Sequence, residues 1–317
     1  MAVNYHYVGS YDERIFVQEY GERFGKSPYY TANAIPAALV LLRLISRDPN
    51  ITDVRWAAYM LATTAWETRI PVTQLVPAKD KKGRPLVDKT GKAVMRKYSP
   101  WRMVMAPVDE VGHGKGRDYH EPVKVAKLAD GSVRVTEKDG DQFKVTAAGK
   151  ISNLTKGAVR GSPDGGPVAK IYTNDVGVEQ AYYARGYVQL TWWPHYVAAG
   201  IALGKGLDLL LDPESAKVPA TAYALMSHGM RTGFGFANGR TFLRYFSGQS
   251  RNYLGARAMV NGSDKAKEIA ELAEEFEAIL LAAGPQRPGR FPPPIDSSLA
   301  GMPLPGERLS GQSRFFQ

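Results

Sequence analysis

The chain has 317 residues, 44% hydrophobic and 23% charged, with a formal net charge of +10 and no cysteine. That is a globular composition, long enough for one large core or two smaller ones without covalent staples. It excludes disulfides, thiolate catalysis and cysteine-based metal centres.

The N-terminal MAVNYHYVGSYDERIF lacks a basic n-region followed by an apolar h-region. The expectation is therefore a protein made in the cytoplasm without a secretory signal. The most apolar run, residues 35–45, is short and interrupted by Arg43, so no transmembrane segment is expected. Residues 34–46 are apolar at most positions and predict a buried helix, broken by Asp48-Pro49-Asn50. Thr52 as N-cap, with Asp53 in the first turn, predicts a second helix to about Thr68. Trp56, Met60, Thr63, Thr64 and Glu67 fall on one face of it.

Residues 79–97 are hydrophilic and basic, with turn signals at Lys82-Gly83 and Thr90-Gly91. Val123, Val125, Val133, Val135, Phe143 and Val145 then alternate with polar residues around Asp130-Gly131 and Asp139-Gly140, the pattern of an antiparallel meander. Residues 162–166, SPDGG, read as loop, and no repeat period stands out. Helices resume after Tyr182, with a small apolar run at 219–230. Ser263 is expected to cap an amphipathic helix that turns Ala266, Ile269, Ala270, Ala273, Phe276 and Leu280 inward and stops at Gly284-Pro285. The expected architecture is mainly α within the α+β range. A helical domain covers 1–284, with an antiparallel β-insertion at about 77–160, and an irregular Pro- and Gly-rich tail covers 285–317.

Two segments carry chemistry. Glu67, in AYMLATTAWETR, ends a stripe of small and apolar side chains, where burial would favour a protonated carboxyl suited to acid catalysis. Pairing with Arg69, or simple solvation, is the structural alternative. Residues 183–196, YARGYVQLTWWPHY, concentrate rings, an amide, a hydroxyl and a guanidinium, as a saccharide cleft requires; ordinary aromatic packing explains them equally well.

YYARGYVQLTWWPHY resembles the GRGYVQLTWxxNY motif of glycoside hydrolase family 19, the chitinase and endolysin family, on its phage and prophage side. AAYMLATTAWETR resembles that family's AxxLATxxHET segment, and GARAMVNGSDKAKEIAELAEEFEAIL its RRIVNGTDRAxxIAxYAxxFExAL ending. The three segments keep the family order from about Asp53 to Ala282; the insertion and tail are not covered.

The resemblance implies a lysozyme-like, two-lobed helical fold and an inverting single displacement. Glu67 takes the acid position and Thr191 the hydroxyl position beside the attacking water. Gln189 and Asn261 fall at substrate-binding positions, and Tyr187, Trp192, His195 and Tyr196 join them as binding candidates. For the base, APVDEVGHGKGRDYH resembles a PVEExGxGKGR stretch, which favours Glu110, then Asp109, with Glu121 and Glu179 open. An inverting pair stands roughly 6.5–9.5 Å apart. Trp66 and His195 replace the family's usual histidine and asparagine, which motivates a catalytically degenerate wall-binding component of a virion or secretion assembly as the alternative.

The expected substrate is a β-1,4 amino-sugar polymer, peptidoglycan ahead of chitin, cut by an endolysin or virion-associated lysozyme acting on the cell wall. The tail is a candidate for docking a virion or assembly protein. No cofactor and no metal are expected: His113 and His120 read as loop histidines, and Gly112 to Gly116 is no phosphate loop. Nucleic acid is not an expected partner, because no helix-turn-helix, zinc-finger or RNP signature accompanies the positive charge.

Overall fold

The computed structural model describes residues 11–155 and 177–284. The expected loop at 162–166 and tail at 285–317 lie outside the described residues.

Three helices open the chain: α1 (Glu13–Phe24), α2 (Ile35–Arg47) and α3 (Val54–Glu67). Asp12 caps α1, accepting from the Arg14 and Ile15 amides. Asp53, not Thr52, caps α3: its carboxylate accepts from the Arg55 amide and pairs with the buried Arg55 guanidinium. Short strands follow, namely β1 (Arg69–Pro71), β2 (Gln74–Pro77), β3 (Met95–Tyr98), β4 (Trp101–Met103) and β5 (Val108–Asp109). Next come β6 (Val123–Lys127), β7 (Val133–Thr136), β8 (Gln142–Val145), β9 (Ile151–Asn153), β10 (Val178–Gln180) and β11 (Arg185–Gly186). The last part holds α4 (Trp193–Ala202), α5 (Asp208–Leu211), α6 (Pro219–Thr232), α7 (Phe242–Tyr245), α8 (Tyr253–Ala256) and α9 (Ala266–Ala283).

The expected mainly α architecture is overturned. The described residues are 43% helical and 17% strand, a mixed α+β fold with a five-stranded antiparallel sheet and three two-stranded ones. Strand structure is not a self-contained insertion at 77–160. β1 begins directly after α3 and pairs with β4, while β10 and β11 return from beyond the meander to pair with β6 and β5. The meander itself forms where expected, turning at Gly131 and Gly140, both at positive φ. Its valines 123, 125, 133, 135 and 145 share a core with Trp193, Tyr196 and Val197 of α4. A second core gathers α1, α2, α3, α6 and α9 around Tyr20, Tyr59, Phe242 and Phe276. Ser263 does not cap α9; Lys265, in the left-handed region, holds that place without a side-chain capping bond. No helix among the described residues is long and apolar enough to cross a membrane.

Asp48 closes α2 and ties it to α6. Its Oδ2 accepts from the Tyr223 hydroxyl at 2.8 Å and from Ser227 at 2.7 Å, and its Oδ1 from the Asn50 amide at 2.9 Å. Burial alone would raise its pKa; the hydrogen bonds outweigh burial and hold it below the usual aspartate value. A folded-state pKa below the unfolded one gives stability that is present above pH ~4 and lost as pH falls through the folded value. Asp48→Asn is therefore expected to lower stability at neutral pH by about 1 kcal/mol, discounted for the group's partial exposure. Urea melts of both proteins should converge as pH drops below about 4. A constant gap down to pH 3 would assign the cost to shape rather than charge.

Candidate active site

Glu67 is the last residue of α3. The helix ends there as Thr68 leaves helical geometry at φ -98° and ψ 19°, its hydroxyl donating to the Thr64 carbonyl at 2.8 Å, and β1 leads the chain away. The Glu67 side chain is 18% exposed and faces an open cleft of about 500 Å³. Arg69 does not pair with it. The Arg69 guanidinium lies on the Trp66 ring, 3.3 Å from the centroid, and donates to the Trp66 carbonyl.

The partner of Glu67 is Arg257, in the 3-10 turn after α8. Its Nη1 reaches Glu67 Oε1 at 2.5 Å, its Nε donates to the Asp264 carbonyl at 2.7 Å, and it is 1% exposed. A buried planar fork with both ends engaged fixes the carboxylate's position.

In the same cleft, β5 brings Asp109, with Glu110 just beyond it, and the two side chains have different fates. Asp109 is bound by Lys217 at 2.6 Å and lies 3.4 Å from Arg185; both cations also reach Glu214. That network consumes its charge. Among the described residues Glu110 meets no cation: Tyr119 donates its hydroxyl to Oε1 at 3.0 Å, and the Ala184 amide approaches Oε2 at 3.4 Å. Burial first, and then the carboxylate, raises the pKa of Tyr119, which stays a donor. Of the other two base candidates, Glu121 is bound to Lys138 at 2.6 Å and lines a neighbouring hollow. Glu179 is exposed on β10, opposite Lys124.

The turn after β11 supplies Gln189 and Thr191 to the same cleft, and the chain after Met259 supplies Asn261. Gln189 sits at φ 56°, with Nε2 turned onto the Gly186 carbonyl at 3.0 Å and the Val108 carbonyl at 3.4 Å. Its carbonyl oxygen is what it can offer a ligand. Trp192, at φ 68° and 42% exposed, stands edge-on to Tyr119 and lines the neighbouring hollow of about 180 Å³, beyond Tyr119. His195 faces a third, apolar hollow and bonds the Thr191 carbonyl from the rear at 2.9 Å. Tyr187 and Tyr196 are buried in the two cores and do not line the cleft.

Trp101, Tyr119 and Arg257 were not among the candidates read from the sequence. Arg257 had one visible signal, a lone cation in the small, apolar run Gly255–Val260. Among the described residues, no group of three His, Cys, Asp or Glu is placed to hold a metal ion.

If Glu110 acts through its bond to Tyr119, removing that hydroxyl should matter. Tyr119→Phe is expected to lower turnover roughly 10-fold, the scale of one hydrogen bond to a charged group. KM should change little. An unchanged turnover number would remove Tyr119 from the machinery.

No family model, no curated protein and no solved structure matches the chain.

Proposed function

We propose that this protein is a cell-wall glycosidase that cuts the β-1,4 bonds of peptidoglycan by a single inverting displacement. One observation carries the reading. Glu67 and Glu110, brought from separate parts of the chain, line one open cleft together with Thr191, Gln189 and Asn261. Two carboxyl groups facing a shared cavity, with polar groups lining it beside them, are what acid/base glycoside hydrolysis needs. The resemblance of the segments around Glu67, Thr191 and Asn261 to glycoside hydrolase family 19 supports the same assignment.

In this mechanism Glu67 protonates the leaving glycosidic oxygen. The carboxylate left behind is met by the Arg257 guanidinium, already in place, so the charge that develops needs no reorganisation. Glu110, held by Tyr119, takes a proton from water, and Thr191 orients that water for attack at the anomeric carbon on the opposite face. Asp109 acts only as a counterion that holds β5 to Lys217.

The test is digestion of purified peptidoglycan and, in parallel, of chitin oligomers. New reducing ends are expected from peptidoglycan, and borohydride reduction then names the sugar that carries them. The first-formed product should be the α-anomer by NMR, since inversion turns a β bond over. A β-anomer would overturn the single displacement. Cleavage of chitin alone would move the substrate, and no reducing ends from either polymer would leave a binding cleft without hydrolysis.

A further inference from the structure

The ribbon formed by β2, β3 and the chain between them is not used by the proposed chemistry, and its surface is unusual. No repeat stood out in the sequence, yet residues 80–87, DKKGRPLV, and 88–95, DKTGKAVM, fold as two copies of one turn. In the first, Asp80 Oδ1 accepts from the Lys82 and Arg84 amides at 2.8 and 2.9 Å. In the second, Asp88 Oδ1 accepts from the Thr90 and Lys92 amides at 2.8 and 3.1 Å. Gly83 and Gly91 stand at φ 81° and 80°, the left-handed corner each turn requires. Three backbone bonds, Ala78 to Val94, Leu86 to Ala78 and Val94 to Leu86, close the two turns on each other. Both acids of the segment are spent on this scaffold.

What the scaffold displays is cationic and apolar at once. Eight lysines and arginines lie between 79 and 97, against Asp80 and Asp88 alone. Every residue from 81 to 99 is exposed. Leu75 is 64% exposed and Val87 60%, and Leu86, Val94, Met95 and Tyr98 are exposed beside them. The register interleaves the two kinds, setting Leu75 opposite Lys97 and Val76 opposite Arg96. A two-stranded ribbon is marginal in water, and a run of apolar side chains open to solvent marks a surface meant for something else.

We infer that this ribbon docks the protein on an anionic phospholipid surface. Charge selects a negative occupant, and the interleaved leucine, valines and methionine select one with an apolar layer beneath the charge; a purely polyanionic polymer would leave them without a role. The undescribed segments 1–10, 156–176 and 285–317 are neutral or net positive, and a second copy carries the same positive ribbon, so none complements it. The ribbon continues into β4, whose Trp101 lines the cleft, so docking would hold the cleft rim beside the membrane face. The inference does not rest on hydrolysis, because binding is read without it.

The experiment is co-sedimentation of the full chain with vesicles of phosphatidylcholine alone and of equal parts phosphatidylcholine and phosphatidylglycerol. Binding is expected to the second and not the first. Replacing Lys81, Lys82, Lys89 and Lys92 with glutamine should weaken it by roughly fivefold per lysine, the scale of one cation near an anionic surface. Leu75→Ser combined with Val87→Ser and Met95→Ser should weaken it as well, and by a factor that added salt does not erase. Thermal melts should match the wild type, since all these side chains are exposed; if the apolar variant melts lower, the lysine variant still decides. No binding to anionic vesicles, or equal binding to both compositions, would overturn the inference. So would apolar substitutions without effect, which reduce the ribbon to a polyanion contact.

Discussion

Glu67→Gln is expected to lower the turnover number for peptidoglycan hydrolysis by about 10²–10⁴-fold while KM changes little. Glutamine keeps the length of the side chain and presents a carbonyl oxygen to Arg257 where Oε1 now lies, so the positioning contact survives while the transferable proton is lost. What remains is catalysis by binding and by activation of water. The same logic separates the two carboxyl groups. On a synthetic glycoside whose leaving group departs without protonation, the Glu67→Gln defect should shrink. The Glu110→Gln defect should persist, because water still has to be deprotonated. Initial rates on both substrates, with melting curves alongside, are the measurement. If Glu67→Gln keeps more than about a tenth of the wild-type turnover, general acid catalysis by this residue is untenable.

Part of this site could be read before any coordinates. The helix carrying Glu67 announces itself through the start signal at Thr52-Asp53, read one residue before the true cap, and the face from Trp56 to Glu67, because helix signals are local in the chain. The meander turns at Asp130-Gly131 and Asp139-Gly140 are equally local. What could not be read is what depends on distant partners. β10 joins β6, and β11 joins β5, across long stretches of chain, and these pairings are what make the fold α+β rather than helical with an insertion. Asp109 and Glu110 are neighbours in sequence with interchangeable chemistry. Lys217 and Arg185, far along the chain, claim the first and leave the second to the cleft. Aromatic composition also misdirects. Tyr187 and Tyr196 belong to the same short motif as Trp192, yet packing buries two of the three. A ring suits a core as well as it suits a sugar, and sequence alone cannot assign it.

Arg257→Met is expected to lower stability by about 3–5 kcal/mol, a larger loss than any other substitution considered above. The side chain is 1% exposed and serves two acceptors, the Glu67 carboxylate and the Asp264 carbonyl. Methionine fills much of the space but strands a mostly buried carboxylate and an acceptor with no donor. The melting temperature should fall by about 10 °C. Lysine keeps the charge without the planar fork, so it can serve one acceptor or the other, and Arg257→Lys should fall between the two. The pair with Glu67→Gln shows where the cost arises. If the stranded charge is the main penalty, neutralising it makes the double variant more stable than Arg257→Met alone, an interaction a double-mutant cycle reads directly. Additive losses would instead place the penalty on the Asp264 carbonyl and the packing. Hydrolysis by Arg257→Lys, measured well below its melting temperature, then separates folding from catalysis: a guanidinium needed only for the fold leaves turnover near wild type, whereas one that meets the developing charge on Glu67 does not.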